Sequence, residues 1–380
     1  MPAQYIAGQE GFDIYPSGAL AASFPWFITN TALNAQINTS AGAFGGGALT
    51  LPTSGAPSTL TSGTEYQFLS TMQMVRGNTA AGGQGVFGIS GWFNVTSMTA
   101  GSGTLLGIGS SLNTALAYPL LNISQNSTTG LNLQFITNIN SPTSAPYNFN
   151  IQLNTYYWVT MTFAYYSTST TASTGTLLAT YTVNGATILQ DQPVTWSADT
   201  FNATQPLNRL KFYGSNFISY FWDDLMIQAV SNADTVWPVA SGSYPTPETV
   251  PNISPRRIYS IPATGNGSVT QWTPSGSEPN WQSATDTTGA NYVTATATGQ
   301  TDTYKWNCPT VGDVRCVSIR GNSNRYQNIV GTFKTSNTSG QTNMTTNNGP
   351  QRYISFAETD GTNPWTTTTI NAGEFGQTSR

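Results

Sequence analysis

Three aspartates are the residues whose type and placement could support chemistry in this sequence. Asp223 and Asp224 are neighbours within an apolar and aromatic run at residues 218–230, and Asp13 follows an early Gly-Phe pair. Carboxylate oxygens are ligands that Ca²⁺ prefers in proteins. One interpretation of Asp13, Asp223 and Asp224 is therefore a calcium site, and calcium is the one cofactor that the sequence suggests.

Two other interpretations of the aspartate pair stay open. The acid and the nucleophile of a glycosidase must flank one bond, whereas adjacent residues of a strand face opposite sides, so Asp13 or Glu10 would have to complete such a pair. The other interpretation is structural, with one aspartate bound to loop amides and the other in water. We predict the structural arrangement and no catalytic residue.

The sequence contains no histidine. This excludes imidazole acid–base catalysis, Ser-His-Asp triads and zinc sites of the HExxH type. The run GQGVFG at residues 83–88 fits the glycine pattern of dinucleotide-binding loops. It leads into a strand pattern, however, and not into the helix that would hold a phosphate. We therefore predict that the protein is not an enzyme.

The elements that must position the aspartates are predicted to be strands. Only 7% of the residues are charged, whereas 38% are hydrophobic and 12% aromatic, and long helical patterns are missing. Residues 155–166 alternate as a strand does, and Asn184-Gly185 separates two strand-like runs as a type I′ hairpin turn does. The run at 218–230 is interpreted as the closing strand of a first β-sandwich. This is an all-β composition.

The chain is predicted to contain two domains. Five prolines lie between residues 238 and 255, which is typical of an extended linker or arm. We predict a first β-sandwich at residues 1–237, a proline-rich linker or arm at 238–257, and a second, smaller β-sandwich at 258–380 that mediates assembly. Cys308 and Cys316 are too few for a disulfide framework, so their pairing stays open.

The charge distribution argues against two classes of partner. The net charge is −4, and Arg76 is the only Lys or Arg among residues 1–208, so the basic stripe that binds nucleic acid is missing. No apolar run approaches the ~18 residues of a membrane helix. The first residues lack a signal-peptide pattern, so we expect synthesis in the cytoplasm.

Several motifs occur in an order that resembles a known class of proteins. The run GFDIY at residues 11–15 opens the first sandwich, and WDDLMI at 222–227 closes it. The later motifs are more specific: WTP at 272–274, NW at 280–281, YV at 292–293, TGQTDTY at 298–304, PWT at 364–366, IN at 370–371 and EFG at 374–376. Together they resemble tailed-bacteriophage virion proteins with a concanavalin A/laminin-G-like jelly roll.

The resemblance implies a fold and a function for the chain. The expected fold is a concanavalin A-like jelly-roll sandwich followed by a smaller β-sandwich. The expected function is that of a non-enzymatic virion structural protein, a capsid decoration or head appendage, and the alternative is a tail-associated (tail fiber) adhesin that binds host glycans. The expected partners are major capsid or tail proteins, other copies in a homo-oligomer and, for the adhesin, host surface glycans. The expected location is the virion.

Overall fold

The computed structural model describes sixteen stretches of the chain. They are residues 6–19, 27–28, 35–51, 64–67, 84–99, 101–110, 117–126, 130–136, 147–167, 175–194, 207–214, 217–231, 255–286, 290–322, 329–349 and 352–380. The described residues form two compact units. Those up to Ile258 belong to the first unit, and Tyr259–Arg380 belong to the second. Most of the predicted linker, 238–254, lies outside the described residues, whereas 255–258 belong to the first unit.

The first unit is built from strands. They are β1 (Ile6–Glu10), β2 (Gly18–Ala19), β3 (Phe27–Ile28), β4 (Gln36–Asn38), β5 (Ala48–Leu51), β6 (Thr64–Gln67), β7 (Gln84–Met98), β8 (Gly101–Ser110), β9 (Ala117–Asn126), β10 (Gly130–Phe135), β11 (Tyr147–Ile151), β12 (Tyr157–Ser167), β13 (Gly175–Val183), β14 (Ala186–Val194), β15 (Leu207–Phe212) and β16 (Ile218–Ser231).

In the described part of the first unit, these strands form two antiparallel sheets. One sheet has the order β14-β13-β12-β7-β16-β5-β4-β2, and β1 also pairs with β16. The other has the order β11-β10-β9-β8-β15-β6-β3. The non-sequential neighbours show that the chain crosses repeatedly between the sheets. The predicted hairpin is present, because Asn184 and Gly185 have positive φ values of 51° and 82° between β13 and β14.

Aromatic side chains fill the space between the two sheets. Trp222 and Tyr220 of β16 are fully buried, and their rings lie 5.0 and 5.7 Å from the ring of Phe93. The Tyr220 hydroxyl crosses to the second sheet and donates to the Leu105 carbonyl at 3.1 Å. Side chains alternate along a strand. The residues next to Tyr220 and Trp222 in β16 therefore have their side chains on the outer face of the sheet.

The second unit combines short strands with two short helices. They are β17 (Ala263–Thr270), β18 (Thr273–Pro274), α1 (Asn280–Ala284), β19 (Val293–Thr294), β20 (Thr301–Trp306), β21 (Val317–Asn322), β22 (Ile329–Lys334), β23 (Thr342–Asn343), β24 (Thr345–Gly349), β25 (Arg352–Ala357), α2 (Thr367–Ala372) and β26 (Glu374–Ser379). Sheets with the orders β17-β20-β26-β22-β23, β21-β25-β24 and β18-β19 are present among the described residues.

The prediction of an all-β chain with a jelly-roll sandwich followed by a smaller β unit is confirmed by these sheets. Two helices, of 5 and 6 residues, are found in the described part of the chain. Neither of these helices has the length or apolar character needed to cross a bilayer.

Candidate functional site

Asp223 and Asp224 lie at a β-bulge in β16. Asp223 pairs with Trp92 of β7, and the next pair is Met226 with Ser90, so two residues of β16 oppose Gly91 alone. Asp224 adopts a left-handed backbone conformation, with φ of 49°. A bulge breaks the alternation of side chains. The two aspartates are accordingly only 4% and 2% exposed, and the prediction that one of them faces water is wrong.

The other edge of β16 is shared by two strands at this point. β5 pairs with β16 at Tyr220–Trp222, and β1 pairs with it from Leu225 onward. Asp223 and Asp224 therefore occupy the interval between the two partners. No strand among the described residues pairs with the backbone of β16 on that side at these two positions, which leaves room for loops to approach it.

A glycine-rich loop at residues 39–47, between β4 and β5, wraps around two of the carboxylates. The Ala43 amide donates to Asp223 Oδ2 at 2.8 Å, and the Gly47 amide donates to Asp13 Oδ1 at 3.0 Å. A Cβ atom on Gly46 would lie 1.9 Å from Asp13 Oδ1. Only glycine permits so close an approach, which explains the glycine cluster in the sequence.

A tight turn places Asp13 beside this loop. Both carboxylate oxygens of the buried Glu10 accept hydrogen bonds, one from the Phe12 amide at 3.1 Å and one from the Tyr15 hydroxyl at 2.7 Å. Phe12 has a φ of 58°. The Glu10 carboxylate thus binds residues at both ends of the turn. These hydrogen bonds stabilise the conformation that directs Asp13 toward the glycine-rich loop.

Asp224 and Asn94 each retain a buried oxygen without a partner. Asp224 Oδ1 accepts from the Ile258 amide at 2.7 Å. Asp224 Oδ2 and Asn94 Oδ1 have no hydrogen-bond partner among the described residues. Buried polar atoms of this kind are rare in native proteins and call for an explanation.

The electrostatics of the site reflect its burial. Burial raises the pKa of Asp223 well above the ordinary carboxyl value, although amide donors and Arg257 oppose the shift. Burial, followed by the charge of Asp223, likewise raises the pKa of Asp224. The pKa of the neighbouring Tyr156 is also raised, by burial and then by the charge of Asp223. The Tyr156 hydroxyl donates to the Ala41 carbonyl of the glycine-rich loop.

An aromatic rim borders the carboxylates on the outside. We use this name for Phe44, Trp92 and Arg257. Phe44, at the tip of the glycine-rich loop, is 48% exposed, and its ring lies edge-on to Trp92 at 5.5 Å. The Arg257 guanidinium lies 5.2 Å from the centre of the Phe44 ring. The Trp92 indole N–H donates to the Arg256 carbonyl at 2.9 Å, so the segment at 255–258 is fixed to the same face.

The structure brings together the three aspartates that the sequence selected. Asp13 and Asp223 flank the glycine-rich loop, and the charge of Asp13 acts on both members of the pair. No group of three or more His, Cys, Asp or Glu side chains with the geometry of a metal site is found in the described stretches. Backbone amides already bind four of the aspartate oxygens, Asp13 Oδ1, Asp223 Oδ1, Asp223 Oδ2 and Asp224 Oδ1. The calcium site stays a prediction.

Sequence analysis missed Asn94 and Tyr156 as members of the site. Asn94 lies within an apolar run, where a buried polar residue is a usable signal, whereas nothing around Tyr156 distinguishes it from other aromatic residues. The other sequence features lie elsewhere or have structural roles. Residues 84–88 of the glycine pattern lie in β7, and Cys308 and Cys316, in the second unit, form no disulfide bond.

Comparison with known proteins gives structural matches only. No protein-family model matches the chain, and no curated protein matches it. Alginate lyase Aly36B is similar over 58% of this chain and 95% of its own, with 15% identity and a TM-score of 0.37. Alginate lyase A1-II′, of polysaccharide lyase family 7, is similar over 54% and 85%, with 14% identity and a TM-score of 0.32. A Trypanosoma rangeli sialidase matches over 51% and 27%, with 13% identity and a TM-score of 0.27.

Two predictions from the sequence are corrected here. The prediction of a non-enzymatic virion structural protein or tail-associated adhesin is contradicted, because the matches are named as alginate lyases and a sialidase. The prediction that the chain is not an enzyme is contradicted by the same matches. The mistake was to assume that a chain without histidine has no group suited to proton transfer. Burial raises the pKa of the Asp223 carboxyl toward that of imidazole. The expected partners and virion location stay predictions.

Proposed function

We propose that the first unit is a carbohydrate-active module that contacts polysaccharide at the aromatic rim. The observation that carries the proposal is the half-exposed Phe44 ring, held between Trp92 and Arg257 at the tip of the glycine-rich loop. Sugar rings present C–H groups that pack against aromatic faces and edges, and aromatic side chains offer large contact areas at a low cost in conformational entropy.

The loop that bears Phe44 is ordered before any ligand arrives. Its backbone is bound by Asp223 through Ala43 and by Asp13 through Gly47, and the Tyr156 hydroxyl binds the Ala41 carbonyl. A contact residue on a fixed loop loses little freedom on binding, so a larger part of its contact energy appears as affinity.

Arg257 supplies the polar part of the rim. Its guanidinium stacks near Phe44, which fixes the direction of a fork of N–H donors. Such a fork donates hydrogen bonds to sugar hydroxyls or to the carboxylate of an acidic sugar. An aromatic ring beside an oriented donor is the combination by which a shallow site distinguishes sugar chains from other polymers.

The Phe44→Ala variant tests this proposal. We expect it to bind polysaccharide about tenfold more weakly, because a central aromatic contact contributes about 1–2 kcal/mol to binding. Wild-type and variant full chains are compared on immobilised alginate, an acidic galactan and a neutral glucan by biolayer interferometry. The same polymers are incubated with the protein and assayed for unsaturated uronate ends and for new reducing ends, which separates binding alone from cleavage.

Tyr147→Ala is the matched control. Tyr147 is 40% exposed on β11 of the other sheet, so its loss removes a comparable exposed ring away from the rim and is expected to leave binding unchanged. The proposal fails if the wild type neither binds nor cleaves any of the polymers, or if the two variants lose affinity equally.

A further inference from the structure

Four strands lie at the ends of the two strand orders of the first unit, as far as the chain is described, and three of them are protected from further pairing. β2 and β3 have two residues each. β14 contains Asp191 and Pro193, and register shifts interrupt its pairing with β13. Short strands, charges, prolines and bulges are the features by which proteins prevent an edge strand from pairing with another chain.

β11, the fourth of these strands, has none of these features. It pairs with β10 through all of its residues, Tyr147–Ile151, without a register shift. It contains no proline and no charge, and residues 77–190 as a whole contain no Asp, Glu, Lys or Arg. Asn148 and Asn150 are exposed, and β10 is the one strand that pairs with β11 among the described residues. A regular, uncharged edge of this kind is a template for a further strand.

The side chains of β11 continue two rows that cross the sheet. On the outer face, Gln134 of β10 lies opposite Asn148, and its side-chain amide donates to Asn148 Oδ1 at 3.2 Å. On the inner face, Leu133 lies opposite Phe149, whose ring is 6.1 Å from that of Tyr157 in the facing sheet. Both rows end at β11. A further strand would therefore extend an amide row on one face and an apolar row on the other.

We propose that β11 is a self-association surface, at which two copies of this chain pair antiparallel about a two-fold axis. A second copy fits this edge because the strand is complementary to itself. With Phe149 on the axis, Asn148 lies opposite the partner's Asn150, and Phe149 lies opposite the partner's Phe149. Each amide thus meets an amide and the aromatic ring meets its equivalent, as a two-fold interface requires. An uncharged strand also brings no like charges together across the axis.

The dimer is expected to be weak. Five paired residues span about 17 Å of strand, and an edge of this length buries less area than the roughly 1,600 Å² of a standard protein interface. Main-chain hydrogen bonds supply most of the affinity in strand addition, and the side chains fix the register. We therefore expect association in the micromolar range.

Sedimentation velocity of the full chain at about 2–200 μM tests the proposal. We expect the wild type to pass from monomer to dimer across this range. Asn148→Lys combined with Asn150→Lys places lysine opposite lysine across the axis and should weaken association at least tenfold. The corresponding pair of aspartate substitutions should do the same. An equal mixture of the lysine and aspartate variants should associate again, because opposite charges then face each other, and this rescue requires that both variants are folded.

Gln190→Lys combined with Gln192→Lys is the matched control. Both glutamines are exposed on β14, so the same two charges are added at a protected edge and should leave association unchanged. The proposal is overturned if the wild type stays monomeric up to about 200 μM, if the two lysine pairs weaken association equally, or if the mixed variants do not associate. At submicromolar protein the chain is expected to be monomeric, so the polysaccharide assay of Phe44→Ala is independent of this result.

Discussion

Replacing Trp222 by alanine is expected to destabilise the first unit by about 3–5 kcal/mol, the range found for large aromatic residues in packed cores. Trp222 is fully buried in β16, and its ring lies 5.0 Å from Phe93 and 6.2 Å from Phe212 of the facing sheet. The indole N–H has no hydrogen-bond partner in the described part of the chain. The loss is therefore one of packing, and the cavity would lie between the sheets.

Denaturant unfolding followed by far-UV circular dichroism measures this loss. Phe221→Ala is the matched control, because Phe221 is the preceding residue of the same strand but lies on the outer face and is only partly buried. We expect the control to cost less than half as much, since its ring already contacts water in the native state. Equal losses for the two variants would show that the core does not lie on the Trp222 side of β16.

The general architecture of the first unit could be predicted from local patterns. Alternating residues gave the correct strands at 157–167 and 218–231, and Asn184-Gly185 gave the correct hairpin. These features depend on neighbours in the sequence, because the side-chain period and the turn geometry are properties of a few consecutive residues. A reader of the sequence alone can therefore place them.

The details of the site could not be predicted in this way. Nothing in the sequence WDDLMI marks Asp224 as a bulge with positive φ, because the bulge arises where β16 changes its partner from β5 to β1. The hydrogen bond from Ala43 to Asp223 joins residues that are 180 positions apart. The rule of alternation, which argued against a shared site for the two carboxylates, fails at the place where the ladder is interrupted.

The reasoning about function failed at a related point. The sequence has no histidine and few charges, which suggested a protein without proton chemistry. Burial changes the properties of the charges that remain, because a desolvated carboxyl among other carboxyls either keeps its proton or requires a cation. The composition therefore understates the importance of these aspartates, because it counts charged residues and does not show which of them are buried together.

Three of the motifs that carried the resemblance in the second half of the chain, WTP, NW and TGQTDTY, meet around one buried residue. Asp302, on β20, is fully buried, and its carboxylate accepts hydrogen bonds from the Trp272 amide at 2.8 Å, the Asn280 side chain at 2.6 Å and the Tyr304 hydroxyl at 3.2 Å. Burial raises the pKa of Asp302, although these donors oppose the shift. The spacing of these residues in the sequence therefore has a structural cause.

Replacing Asp302 by alanine is expected to destabilise the second unit by about 3–5 kcal/mol, because it leaves several buried donors without an acceptor. Asp302→Asn keeps one acceptor oxygen and should lie between alanine and the wild type. Asp313→Ala removes an exposed carboxylate and should change stability by less than about 0.5 kcal/mol. Denaturant unfolding of the three variants beside Trp222→Ala measures the order. If Asp302→Ala were as stable as Asp313→Ala, the network around Asp302 would contribute nothing, and the second unit would depend on its apolar contacts alone.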